Sequence, residues 1–455
     1  MMKKLLLLFM LLSMRFYALA QQEPLHISGP MLGYSEHRSV LIWYEVGQSV
    51  KSAVLRYWEK EHTEFYYEMD YTGPLGMPYN PIRFELVKLK LNTTYHYELL
   101  LNGKVLPATR VNAFTTKPYQ ANPAGDPVNF SFLAGSCLYL NDPVLDANGS
   151  PYGQDTYILR TMASMPSDFM LWLGDNLYLR ASDYGSAAGI HYRYSVNRKA
   201  PELAELLASR PNYATWDDHD YGNNDADRSF ELKAVSQESF RNYWGNKSYG
   251  SENDQGIYSS FSWSDADFFL MDDRSHRAPN LLRDSIGGKV NCDKPFFGET
   301  QLAWLKDKLL GSSATFKFIA VGNQVLNPVA EKEHFRNYSC EFTELMNFIV
   351  SYRISGVVFL SGDRHFSEIN AWQPKGGYTL YDFTCSPLTS RVHEISAKEA
   401  GNPSRVPESL VKSNNFSRFE ISGPAGDRTL KMICIDKNGV VLSGFSLNEK
   451  DLKMK

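Results

Sequence analysis

From Leu25 to about Thr116 the chain is a succession of short apolar runs bounded by turn-forming residues. Residues 39–46, 52–58, 65–67, 83–86 and 89–99 are rich in β-branched and aromatic side chains, the composition of strands. From Val128 onward the texture changes: short apolar strands alternate with helix-like stretches at 153–165, 201–210 and 299–310, the pattern of an α/β core. The reading is an all-β sandwich over residues 23–118, a linker rich in Pro and Gly at 117–126, and an α/β domain over 127–450. Five of the apolar strands in the second unit each run into polar, reactive side chains. The run 129–134 leads to Gly135-Ser136-Cys137, and 169–173 leads to Gly174-Asp175-Asn176-Leu177-Tyr178. The run 213–216 leads to Asp217-Asp218-His219-Asp220, with Asn223-Asn224 beyond it. The last two, 316–321 and 357–360, lead to Gly322-Asn323-Gln324 and to Ser361-Gly362-Asp363-Arg364-His365.

The first residues bear on compartment. Lys3 and Lys4 precede an apolar run from Leu5 to Leu12 and a small-x-small site at Ala18-Leu19-Ala20. That layout predicts a secretory signal peptide over residues 1–20. A membrane anchor needs roughly 18 or more apolar residues, and Arg15 interrupts this run too early. No later stretch is long and apolar enough to cross a bilayer, so the mature chain is expected in the periplasm or outside the cell. An exported chain tends to pair its thiols. Of the five cysteines, Cys292 and Cys340 stand in polar, loop-like settings and could bridge, whereas Cys137 follows a buried-looking strand and is set aside for chemistry. A net charge of -4 offers no basic footprint for nucleic acid. The many aromatic residues, 27 Tyr and 26 Phe, signal packing in β-rich cores.

In α/β sheets, sites form at the carboxyl ends of strands. Five such ends carrying ligand-type side chains would converge on one patch if the strands lie side by side. Asp175, Asp218, Asp363, His219 and His365 bring carboxylate and imidazole, and Cys137 and Tyr178 add thiolate and phenolate. Carboxylates crowded together raise one another's pKa unless a cation neutralises them. The patch therefore reads as a metal site. Its mixed donors suggest two unlike ions: a transition metal such as iron on the Cys, Tyr and His side, and a harder ion such as calcium on the all-oxygen side.

Two resemblances follow from these motifs. The segment Leu89 to Leu99, with Thr94 and alternating Tyr95 and Tyr97, and the ending Phe114-Thr115-Thr116 resemble fibronectin type III-like sandwiches and their tyrosine corner. With no cluster of acid, His or Cys, this unit reads as structural. The second unit carries Gly-Ser-Cys, Gly-Asp-x-x-Tyr, Trp-Asp-Asp-His-Asp-x-x-Asn-Asn and Ser-Gly-Asp-x-His in that order. It resembles the PhoD-like alkaline phosphatase/phosphodiesterase family of the calcineurin-like metallophosphoesterases. Met271-Asp272-Asp273-Arg274 and Gln301-Leu302-Ala303-Trp304-Leu305 sit where that family has similar segments, while Asp220 replaces its Glu.

The resemblance implies two packed β-sheets flanked by helices, Fe³⁺ and one or more Ca²⁺ ions, other divalent metals being possible. It implies hydrolysis of phosphate mono- or diesters by a hydroxide that the ions hold. Cys137, Asp175, Tyr178 and His365 would hold the iron; Asp175 would bridge to calcium, with Asp218 and Asp363 as further ligands. His219 would face the substrate, either giving a proton to the leaving oxygen or stabilising phosphoryl charge. Asn223 is expected near the second ion and the substrate, and Arg274 or Arg277 could grip a phosphate, though a salt bridge serves either one as well. Asp217 and Asp220 read as residues that solvate the loop or orient His219, and His191, His276 and His334 as structural. The irregular segments 278–294 and 392–411 are expected to wall the pocket. An adhesion or binding protein with an inactive second unit is the competing reading, yet every ligand position is filled.

Overall fold

The computed structural model describes residues 24–108, 111–119, 125–146, 151–252, 254–329 and 333–454; the expected signal peptide lies outside them. In the first unit the β-branched and aromatic runs form β1 (His26–Ser35), β2 (Val40–Val46), β3 (Ala53–Glu59), β4 (Tyr67–Asp70), β5 (Asn80–Leu86), β6 (Thr94–Leu101), β7 (Lys104–Val105) and β8 (Asn112–Thr115). One sheet has the order β1-β2-β5; the other runs β4-β3-β6, with β7 and β8 both pairing β6. Alternate side chains such as Ile42, Leu55, Phe84 and Leu99 fill the space between them. The tyrosine corner is present, since the Lys90 N–H donates to the Tyr95 hydroxyl at 2.9 Å. The aromatic run at 65–67 is a correction. Phe65 and Tyr66 are loop residues, 71% and 56% exposed, because no second layer covers them.

The sandwich is docked firmly on the second unit. Gly33 and Gly245 meet so closely that a Cβ on Gly245 would lie 2.4 Å from the Gly33 Cα. The Trp43 indole donates to the Asn242 carbonyl at 2.7 Å, and Arg83 donates to that of Arg241 at 2.8 Å. Lys117, where the linker begins, reaches Glu36 at 2.7 Å and the Ser262 carbonyl at 2.9 Å.

The second unit contains β9 (Phe130–Gly135), β10 (Phe169–Leu173), β11 (Asn212–Thr215), β12 (Ser259–Trp263), β13 (Ala266–Leu270), β14 (Ser285–Ile286), β15 (Lys289–Val290) and β16 (Phe316–Ala320). It continues with β17 (Val357–Ser361), β18 (Glu368–Trp372), β19 (Leu380–Thr384), β20 (Phe416–Ser422), β21 (Thr429–Ile435) and β22 (Val441–Asn448). Two six-stranded sheets result, β11-β10-β9-β20-β21-β22 and β12-β13-β16-β17-β19-β18. The five expected strands are therefore not neighbours in one sheet: β9, β10 and β11 are parallel in the first, β16 and β17 in the second. An apolar run marks a strand buried on both faces and leaves its partner undefined.

Facing rings lock the two sheets together. Phe132 of the first packs on Phe169 and Phe419, with centroids 5.1 and 4.8 Å away, and edge-on against Phe268 and Phe318 of the second. Each such ring, fully buried, contributes on the order of 2 kcal/mol. At the carboxyl ends the sheets touch through backbone. A Cβ on Gly362 would stand 2.4 Å from the Leu173 carbonyl oxygen of the other sheet. Helices Tyr157–Ser164, Pro201–Ser209, Glu299–Gly311 and Ser339–Ser351 flank the sheets. Cys292 and Cys340 form a disulfide, and Cys137, Cys385 and Cys434 are buried thiols. Among the described residues no helix is long and apolar enough to cross a membrane.

Candidate active site

Each strand end delivers its side chain through a sharp turn. Cys137, Asp175, Asp363 and His365 have φ of 59, 52, 68 and 58°, in the left-handed region that non-glycine residues seldom occupy. Four such residues at one patch mark a site where the surrounding fold holds strained backbone in place. The turns are tied to one another: the Cys137 N–H donates to the Gly174 carbonyl and the Leu138 N–H to that of Asp175. The Ser386 hydroxyl donates to Cys137 Sγ at 3.1 Å and accepts from the His365 N–H at 2.9 Å.

Asp175 stands at the centre. Its Oδ2 accepts from the Tyr178 hydroxyl at 2.9 Å and from the Cys137 thiol at 3.6 Å. Its Oδ1 faces the other way and accepts from the His219 backbone N–H at 3.3 Å. The Tyr178 oxygen also lies 3.1 Å from His365 Nε2. Cys137, Asp175 and His365 thus bring ligand atoms within 4.8 Å of one another, and Asp175, Asp218 and His219 form a second such group. A third, Asp218, Asp225 and Glu333, offers oxygen alone. Asp363 lines the same cavity but stands outside these three groups.

The electrostatics call for a cation. Burial, then the charges of Asp218, Asp220 and Asp363, pushes Asp175 far above the usual carboxylate range. Burial and the nearby Asp175 do the same to the Cys137 thiol and the Tyr178 phenol. Asp363 is driven up to about 7 by burial and by Glu333 and Asp218, against the pull of Arg364. Asp218 stays low, because His219, Arg274 and the Asp225 N–H outweigh its burial, and Glu333 stays low because Arg274 and Arg277 outweigh its own. His365 is lowered to about 3, first by burial and then by His393, so its imidazole is neutral. With Nδ1 placed 2.7 Å from the Arg391 carbonyl, the ring donates there and turns the Nε2 lone pair inward, the usual tautomer of a metal-bound imidazole. Thiolate, phenolate, imidazole and carboxylate on one side and carboxylates on the other fit a soft-tolerant and a hard cation.

His219 lines the cavity, its ring 4.2 Å from that of Tyr178. Burial lowers its pKa, so it is neutral at neutral and alkaline pH and offers an imidazole N–H. It rides on the short helix Asp218–Tyr221, whose capping box is made by Asp217 and Asp220. These two acids are fully buried and orient the turn, which is one of the two roles the sequence left open for them. Asp217 is gripped further by Arg274 Nε at 2.7 Å and by Asn323.

That grip corrects one expectation. Arg274 is fully buried, its guanidinium occupied by Asp217 and Glu333, and it does not line the cavity; Arg277 is spent on Tyr338, Asn280 and Glu333. The arginine at the cavity is Arg364. Asn223 also falls outside it: the side chain is exposed and donates to the Asn224 carbonyl, and Asn224 takes the lining position. The cavity, of about 440 Å³, is walled as expected by the segments 278–294 and 392–411, through Asn280, Lys294, His393, Glu394 and Glu399. Sequence reasoning missed Asp225 and Glu333. Asp225 adjoins an already suspicious Asn pair, whereas Glu333 sits in a loop with no strand before it to flag it.

A PhoD-like phosphatase family model matches residues 147–424, most of the second unit. This chain belongs to the PhoD-like phosphatase family. Alkaline phosphatase D of Bacillus subtilis (strain 168) is 24% identical over 385 residues, covering 72% of this chain; the chain spans only 62% of that relative's length. A solved structure of PhoD superposes with a TM-score of 0.74 at 16% identity, covering 95% of this chain and 92% of its own. A purple acid phosphatase from yellow lupin (Lupinus luteus) seeds follows at 0.66 and 12%, over 93% of this chain and 75% of its own. At these identities the two structures establish a shared fold. The family is one of phosphatases, and among the described residues the candidate metal-holding groups gather at the strand ends.

Proposed function

We propose that this PhoD-like phosphatase is a secreted, metal-dependent hydrolase of phosphate mono- or diesters. The observation that carries the reading is the split of Asp175, with one oxygen turned to the Cys137, Tyr178 and His365 side and the other to the Asp218 and His219 side. A carboxylate so placed is suited to join two cations, with Fe³⁺ and Ca²⁺ the pair its donors match. When bound, such ions neutralise the phosphoryl oxygens and supply an activated water for in-line attack. The chain's own residues do the rest. Cys137, Tyr178 and His365 fix one end of Asp175 through a buried network, while Asp218 and Asp363 would offer carboxylate charge to a second cation. His219 presents a neutral N–H to the cavity, where it can support charge on the phosphoryl or leaving oxygen. The disulfide and the residue 1–20 pattern support export.

The test is turnover of p-nitrophenyl phosphate and bis(p-nitrophenyl) phosphate by the mature chain, purified without chelator and supplied with iron and calcium. Hydrolysis of either supports the reading, and the ratio assigns mono- or diesterase preference. Folded, metal-loaded protein that turns over neither would favour a binding protein that keeps the fold.

A further inference from the structure

Arg364 has no role in the scheme above, yet it is the cavity's most unusual residue. Its side chain is 5% exposed, lines the cavity between the ligand positions Asp363 and His365, and rests with its guanidinium 5.4 Å from the centre of the Phe366 ring. Nη2 donates to Glu399, while Nε and Nη1, both buried, meet no acceptor among the described residues. A guanidinium is always charged, and buried donors are almost always paired. Here one carboxylate holds the group and leaves two buried donors unpaired in a side chain that lines the cavity.

The pairing is built in. Glu399 lies on the short helix Ala397–Ala400, capped by Ser396. Arg405 donates to the Glu399 carbonyl at 2.8 Å and to the Glu368 carboxylate of β18 at 2.6 Å, which moors the wall segment to the sheet. A buried arginine oriented in advance loses little on binding an oxyanion. We propose that Arg364 is the phosphate-binding residue of this site, donating from its free nitrogens to the non-bridging oxygens of the substrate phosphoryl group, with Glu399 as the positioning residue that aims it. This role rests on the phosphoesterase reading and supplies the group first sought in Arg274.

The experiment measures inorganic phosphate binding by equilibrium dialysis and KM for p-nitrophenyl phosphate, with iron and calcium content quantified in every sample. For Arg364→Ala, phosphate affinity falls and KM rises about tenfold or more at unchanged metal content. Glu399→Gln, a milder change, shifts both in the same direction by a few-fold and keeps kcat within a similar margin. Wild-type phosphate affinity and KM in both variants overturn the proposal. So does loss of metal in parallel with loss of phosphate, which would make Arg364 a support for Asp363. If wild-type protein binds phosphate through Arg364 but hydrolyses no ester, the phosphoesterase reading fails while the binding role stands. Wild-type protein that binds no phosphate defeats the binding role outright.

Discussion

Asp175 is a short side chain whose two oxygens serve two neighbourhoods, and few substitutions could be less neutral. Asp175→Asn keeps shape and hydrogen bonding but removes the charge both candidate ions share. Activity should fall by more than about a hundredfold, with both metals reduced in elemental analysis; ligand-network changes of even outer residues cost 10–100-fold. Full activity and full metal content in this variant would end the two-ion reading. His219→Ala separates two roles. Burial keeps this imidazole neutral above about neutral pH, so charge support is favoured over acid catalysis. Losses should then be similar, at roughly a hundredfold or below, for p-nitrophenyl phosphate and for an alkyl phosphate with a poor leaving group. A much greater loss on the alkyl ester would restore the general-acid role. Most of these residues were legible because each follows a strand that reads clearly. Arg274 was misplaced because two neighbouring arginines look alike in sequence, whereas in space the buried partners Asp217 and Glu333 consume it. Glu333 was invisible, since nothing about an acid in a loop distinguishes a ligand from a solvated charge.

Strands were readable and their arrangement was not. The apolar runs at β9, β10, β16 and β17 sit within a residue or two of their predicted bounds. That these strands divide between two sheets depends on contacts of long sequence separation, which local pattern does not encode. The three antiparallel strands β20, β21 and β22, which extend the first sheet beyond β9, were not anticipated either. What unites the sheets at the site is close backbone approach, and glycine permits it. Gly362→Ala would drive a methyl group onto the Leu173 carbonyl of the opposite sheet. Overpacking of this kind destabilises by about 1–3 kcal/mol, measured as a lower midpoint in denaturant. It should also lower metal retention, because the same turn carries Asp363 and His365. An unchanged midpoint would show that the sheets separate more readily than their packing implies.

For the molecule as a whole, the sandwich acts as a buttress against the second unit. The Glu36–Lys117 pair is its most enclosed ionic tie, with side chains 19% and 7% exposed. Burial alone would raise Glu36, but Lys117 and then Lys247 pull it below its ordinary value of 4.5. A depressed carboxylate stabilises fully above its unfolded pKa and loses that contribution as pH falls through the folded one. Lys117→Met should therefore lower the melting temperature at pH 7, by an amount equivalent to about 1 kcal/mol. The gap to wild type should narrow below pH 4.5 as Glu36 becomes protonated. A gap that is constant from pH 7 to pH 3 would assign the effect to lost packing.

The Cys292–Cys340 bridge has a practical consequence for anyone producing this protein. It closes a 48-residue separation, worth on the order of 4 kcal/mol in chain-entropy terms, and it brackets three cavity-lining residues, Lys294, Glu333 and Asn337. Material made in a reducing bacterial cytoplasm would carry every candidate metal-holding residue and still have a slack rim. Its substrate affinity should be poorer and its proteolysis around residues 281–294 faster than for the same chain matured under oxidising conditions. Batches that differ only in where they folded should thus give different KM values, and a thiol titration would sort them before any assay is run.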